Sequence, residues 1–148
     1  KRKEVYEEIK KKSFQYTFAS ASVEEIDKLN ILNASMLAMK RAILMLSRRP
    51  DECFIDGLYT PKIHGCNLVA IIKGDSLFPS ISAASIVAKV ERDMYMESLH
   101  DLFPEYELNT HKGYPTKKHI FLIKKFGVNK IYRKTFKPVK DLIQKEYA

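Results

Sequence analysis

Residues 53–57 read Cys53-Phe54-Ile55-Asp56-Gly57: three apolar residues, an acid, then a glycine. A short continuous apolar run of this kind predicts a buried strand, and the acid stands at its C-terminal end. Asn67 to Ile72 opens a second such run, which closes on Lys73-Gly74-Asp75. From Ser80 to about Leu102 the apolar spacing predicts a long helix. With a further helix upstream, strands and helices alternate. That order predicts an α/β chain with a partly parallel sheet.

Upstream, Ser22-Val23-Glu24-Glu25 is a capping box. The helix it opens carries Leu29, Leu32, Met36, Met39, Ile43 and Leu46 as one apolar stripe, and Arg48-Arg49-Pro50 ends it. Phe14 to Ala19 alternates and is rich in β-formers, which predicts a strand. Lys1 to Lys12 predicts a short charged helix with Val5, Tyr6 and Ile9 on one side. Downstream, Pro104 to Pro115 reads as irregular, and Thr116 caps a helix through Phe126 with Gly127 as its C′ residue. The tail from Lys137 reads as a basic extension. Three strands are few for a sheet covered by helices on both faces. The first element is not a strand, so the chain reads as if it begins partway through its domain.

The 148 residues suit one domain, and a hydrophobic fraction of 45% suffices for a core. No apolar run reaches the ~18 residues of a membrane span, and Lys1-Arg2-Lys3-Glu4 is no secretory signal. The two cysteines, Cys53 and Cys66, exclude a disulfide framework and fit a reducing compartment, so a cytoplasmic location is expected. They are too far apart in sequence for a CxxC knuckle, and one of them is expected in a strand core. His64, His100, His111 and His119 lack metal-ligand spacing and are expected at the surface.

The net charge of +8 is unevenly spread. Residues 111–140 hold ten Lys or Arg and no acid, whereas residues 51–110 hold ten acids against four bases. An acidic centre beside a basic arm suits phosphodiester chemistry: acids hold metal ions, bases hold phosphates. Two solvated faces would have the same composition.

Two acids stand where a carboxylate needs a reason. Asp56 ends a strand, and open α/β sheets gather ligands at the carboxyl ends of strands; an Asp before Gly is also an ordinary turn. Asp93 follows Ile86 and Val90 at helical steps, so it shares their face. Ser85, Lys89 and Asp93 form a polar ladder beside that face, and a Lys89–Asp93 surface pair would explain it equally. Carboxylates from two separate elements are the minimum for holding a hard divalent cation.

The chain resembles the ribonuclease HII family in Phe54-Ile55-Asp56-Gly57, Lys73-Gly74-Asp75 and the run from Ile81 to Asp93, Ile-Ser-Ala-Ala-Ser-Ile-Val-Ala-Lys-Val-Glu-Arg-Asp. The same holds for Glu25-Ile26-Asp27 with Asn30-Ile31-Leu32, for His111-Lys112-Gly113-Tyr114-Pro115-Thr116, and for Tyr132-Arg133-Lys134-Thr135-Phe136-Lys137-Pro138. These motifs span nearly the whole chain in the family's order.

The resemblance implies a ribonuclease H-like mixed sheet flanked by helices, in a single catalytic domain over 1–148 with a basic helical segment at about 111–148. It implies an endonuclease that cuts the RNA strand of RNA–DNA hybrids and cuts 5′ of ribonucleotides embedded in duplex DNA, leaving 5′-phosphates. The implied cofactor is Mg²⁺ or Mn²⁺ on four carboxylates, and the implied setting is DNA replication and repair by a monomer away from membranes. Carried over by motif, Asp56 and Asp93 are the third and fourth catalytic acids. Tyr114 packs by the ribose and helps sense the 2′-hydroxyl. Asn30 matches a helix-start asparagine that contacts substrate backbone, and Lys89, Lys112 and Arg133 are phosphate contacts.

The family's opening Asp-Glu-Ala-Gly-Arg-Gly strand, with the next strand, has no counterpart here. The expectation is therefore a domain incomplete at its N-terminus, lacking two strands and two acids, exposing apolar strand edges and inactive as it stands. The other class this leaves open is a nucleic-acid-binding fragment with half a metal site. Smaller departures are Ser82 in place of alanine and Tyr132 in place of histidine.

Overall fold

The computed structural model describes residues 1–146, so the last two residues of the expected basic segment 111–148 lie outside the described residues. Its elements are α1 (Arg2–Lys12), α2 (Val23–Leu44), β1 (Glu52–Asp56), β2 (Asn67–Ile71), α3 (Gly74–Leu77), α4 (Pro79–Leu102), a 3₁₀ turn at Pro104–Tyr106, α5 (Leu108–His111), α6 (Lys117–Phe126) and α7 (Val139–Glu146). Among the described residues β1 and β2 form one parallel sheet of two strands, with Cys53 opposite Leu68 and Asp56 opposite Ile71. The expected α/β class holds: β1 covers the apolar run at 53–55, and β2 forms on the run from Asn67 but stops at Ile71, one residue short of the expected Ile72.

The expected strand at 14–19 does not form. Its side chains alternate between half-buried and exposed, but no backbone ladder pairs the stretch. Side chains hold it instead: Gln15 Nε2 donates to Arg48 O at 2.6 Å and Thr17 Oγ1 donates to Ala42 O at 2.7 Å. The polar residues face inward, leaving Phe14 and Phe18 exposed. An alternating pattern fixes which side chains turn inward, not a partner strand.

The capping box is realised: Ser22 N–H donates to Glu25 Oε2 at 2.8 Å and Glu25 N–H to Ser22 Oγ at 3.2 Å. The single helix expected beyond it is broken. Asn30 has φ 67° and ψ 168°, which no helix accommodates. The stretch 104–115, expected to be irregular, holds the 3₁₀ turn and α5, and the tail is helical from Val139.

The chain divides into two compact units. The first comprises residues 1–21 and 32–91 and contains the sheet. In it, Tyr6 of α1 packs with Val87 and Val90 of α4, all buried, and donates its hydroxyl to the Glu91 carboxylate. The second comprises residues 22–31 and the chain from Arg92 on. Its core is Tyr106, Leu108, Ile123, Tyr132 and Val139. Tyr106 is 2% exposed and anchors the end of α6, donating its hydroxyl to Gly127 O at 2.9 Å. Thr116 caps α6, accepting from His119 N–H at 3.2 Å, and Gly127 leaves it at φ 84°.

Candidate functional site

Asp56, in the first unit, ends β1. The ladder runs one step past it, with Gly57 N–H donating to Ile71 O at 2.9 Å, so its backbone is fixed. Its side chain is aimed by the next loop: Gly74 N–H donates to Asp56 Oδ1 at 2.8 Å. Gly74 is buried where a Cβ would stand 2.5 Å from Ile81 Cδ1, so the bare backbone lets the amide reach the acid. Asp56 itself is exposed, which leaves the carboxylate accessible to a cation. Lys89 is also in this unit, half-buried on α4.

The second unit carries Asn30, Asp93, Lys112, Tyr114 and Arg133. Asp93 is partly buried, with Arg92 Nη1 4.0 Å from its Oδ1. The same Arg92 guanidinium lies 5.3 Å from the centre of the exposed Tyr114 ring, a cation–π distance. Arg92 therefore touches both an expected metal ligand and the expected sugar contact, a role the sequence signalled only through its adjacency to Asp93.

The loop bearing Tyr114 is held by two histidines. Lys112 and Gly113 turn it at φ 50° and 80°. His111 accepts from Gly113 N–H at Nδ1 (3.1 Å) and bonds Tyr106 O through Nε2 (2.7 Å). His119 bonds Tyr114 O through Nδ1 at 2.9 Å, and Tyr132 Oη lies 3.1 Å from its Nε2. The pattern fits neutral rings: Nε2–H of His111 and Nδ1–H of His119 donate, and the Tyr132 hydroxyl donates to His119. The two imidazoles stack with centroids 3.9 Å apart. Burial pulls both below the usual histidine range, more than their carbonyl partners restore. Both were expected at the surface; they are instead 7% and 4% exposed, because each ring satisfies both nitrogens inside the core. Their placement on either side of Lys112-Gly113-Tyr114 was the available signal.

The basic residues are less free than their charge suggests. Lys112 Nζ is 2.8 Å from Glu97 Oε1 and largely covered. The Arg133 guanidinium lies 4.0 Å above the Phe136 ring; burial, then the like charge of Arg92, lowers its affinity for its proton, and Asp27 opposes them. Asp27 fixes the neighbouring turn: it accepts from Lys134 N–H (2.9 Å), Thr135 N–H (3.0 Å) and Thr135 Oγ1–H (2.6 Å). Asn30 stands one turn further along α2, at the break.

Among the described residues no three His, Cys, Asp or Glu side chains cluster as a metal site, and no helix is long and apolar enough to cross a membrane. Asp56 and Asp93 offer the hard oxygens that Mg²⁺ or Mn²⁺ takes, and Mg²⁺ needs only one or two carboxylates beside its waters. The donor type therefore fits such an ion.

The chain is similar to ribonuclease HII of Alteromonas mediterranea, 50% identical over 99% of this chain and 76% of that protein. It is 46% identical to ribonuclease HII of Desulforamulus reducens, over 97% of this chain and 72% of that one. Among solved structures it resembles the ribonuclease H2 of Pyrococcus horikoshii OT3 with a TM-score of 0.66, covering 84% of this chain and 66% of that chain at 22% identity, a likeness of fold. The family model described as Ribonuclease HII matches residues 1–139. With its motifs, its fold and this match in agreement, the chain belongs to the ribonuclease HII family.

Proposed function

We propose that the protein is an endonuclease that hydrolyses the RNA strand of RNA–DNA hybrids, and that it also cuts 5′ of single ribonucleotides in duplex DNA to leave 5′-phosphates. Membership of the ribonuclease HII family over residues 1–139 carries this reading. The exposed Asp56, ending a parallel strand and oriented by the Gly74 amide, supports it. Asp56 and Asp93 are the proposed ligands for Mg²⁺ or Mn²⁺. Bound there, such ions supply water activation and stabilisation of the departing 3′ oxygen.

The chain's own residues do the rest. Tyr114, held by the histidine pair and Arg92, presents an exposed ring to the sugar whose 2′-hydroxyl is sensed. Asn30 contacts the substrate backbone. Lys89 and Arg133 hold phosphates, and Lys112 does so once released from Glu97. The working unit is a monomer acting in the cytoplasm in replication and repair, with residues 1–148 serving one catalytic domain.

A second reading, hybrid binding without cleavage, draws on the lack of a three-ligand cluster among the described residues. One experiment separates the two. A hybrid labelled on its RNA strand is incubated with the protein and Mg²⁺ or Mn²⁺. The nuclease reading expects cleavage by wild type and none by Asp93→Asn, while Asp93→Asn binds the hybrid as wild type does. Equal cleavage by both overturns the role of Asp93; binding without cleavage by wild type favours the second reading.

A further inference from the structure

We propose that Cys53 and Cys66 form a dithiol–disulfide pair, closed by exchange with a small disulfide of the glutathione class and reopened by the corresponding thiol. The strand register sets the pair up. Glu52 lies opposite Asn67, and side chains alternate across a sheet, so Cys53, one residue on, and Cys66, one residue back, project from the same face as diagonal neighbours. Their sulfurs are 3.6 Å apart. Bond formation requires a further approach of about 1.5 Å. Cys66 can supply it. It lies in the bend between Gly65, at φ 74°, and the first residue of β2, outside the regular ladder that fixes Cys53.

The two thiols divide the work. Both are half-buried. Cys66, in the bend outside the ladder, is the thiol free to move toward an incoming disulfide and attacks first. Burial, then the adjacent Cys66 thiol, pushes Cys53 up to about 11, which suits it to the second step rather than the first. Arg49 donates from Nη1 to His64 O at 3.2 Å, two residues before Cys66, and so brings a cation to the same bend, which favours an anionic disulfide. In the first step the Cys66 thiolate bonds to one sulfur of the small disulfide, whose S–S bond breaks to release one thiolate. In the second, Cys53 gives its proton to solvent and attacks the Cys66 sulfur, and the second small thiolate leaves. The protein loses two protons and two electrons, and the small disulfide is reduced to two thiols. The product ties the strand that bears Asp56 to the start of β2. None of this depends on the nuclease reading.

The test is an exchange equilibrium on the full chain. The protein is equilibrated in buffers of fixed reduced-to-oxidised glutathione ratio, quenched with a maleimide and weighed. The expected oxidised product carries no maleimide, has lost two hydrogens, and yields a peptide cross-linked between Cys53 and Cys66. The same titration in guanidinium removes the strand register. Folding should favour the disulfide by at least about tenfold, equivalent to about 30 mV in reduction potential. With Cys53→Ser, Cys66 should instead retain glutathione as a mixed disulfide. Two maleimide-labelled thiols at high oxidised glutathione, a disulfide joining two chains, or no preference for the folded state would each overturn the proposal.

Discussion

Asp27 shows how much one partly exposed carboxylate can organise. Three donors, two of them backbone amides of Lys134 and Thr135, converge on its oxygens. A charged acceptor contributes about 1.5–3 kcal/mol per bond in favourable settings, and partial exposure lowers that. Asp27→Ala is therefore expected to cost about 2 kcal/mol, read as a lower urea midpoint with an unchanged slope. Burial raises the acid's pKa, but the Thr135 and Lys134 bonds outweigh it, so its net value is lowered. The sign follows. Its contribution is complete above about pH 4, the unfolded value, and is lost as pH falls through the folded one. The stability gap between wild type and Asp27→Asn should close on acidification below pH 4 and stay constant above it. Asn30 sits on the same helix in a backbone region that is almost glycine's alone. Strain held at a proposed substrate contact separates two readouts. Asn30→Gly should raise stability by about 1 kcal/mol while weakening hybrid binding. A gain in both would mean that the side chain does not meet the substrate.

At the scale of elements, α5 and α6 work as a clamp on the Tyr114 loop, and the clamp is sensitive to pH. His111 and His119 both titrate below the usual range, burial being the main cause. Between that range, about 6.5, and their folded values, the unfolded chain binds more protons than the folded one. Stability is therefore complete above about pH 6.5 and falls as pH drops through the window beneath it. Urea midpoints at pH 7.5 and 5.5 should differ in that direction; equal midpoints would show the rings accept protons freely in the fold. What could be read from sequence follows from the same distinction between local and non-local signals. The capping box at Ser22, the Thr116 cap, Gly127, the long α4 and the two apolar strands each depend on neighbours in the chain, and each formed as expected. The break at Asn30 was hidden because the apolar stripe continues in phase on both sides of it. The histidine pair was hidden because its burial depends on Tyr106 and Tyr132, which no local pattern connects to it. Asp56 and Asp93 stood out because an acid in an apolar context needs a reason, whereas Arg92 did not, since an exposed arginine needs none.

For the molecule as a whole, the ten cations of residues 111–140 invite an estimate of how strongly nucleic acid binding depends on salt. Each phosphate neutralised adds about 0.9 to the slope of log affinity against log salt. Counting charges alone would give a slope near −9. The fold discounts that figure, since Lys112 pairs with Glu97, Lys118 with Glu107 and Lys137 with Asp141, so none of the three is a bare cation awaiting a phosphate. While those pairs persist, the other cations of the segment cap its slope at about −6, and fewer contacts make it shallower. Fluorescence anisotropy of a labelled hybrid between 50 and 200 mM salt measures it. Under the proposed function, Lys130→Ala, at an exposed site, should reduce the slope by about 1 if that residue meets a phosphate. Lys118→Ala should leave it nearly unchanged, because its charge is already answered within the fold. A slope near zero in wild type would mean that the basic segment is solvated surface, and that whatever binds the hybrid does so without it.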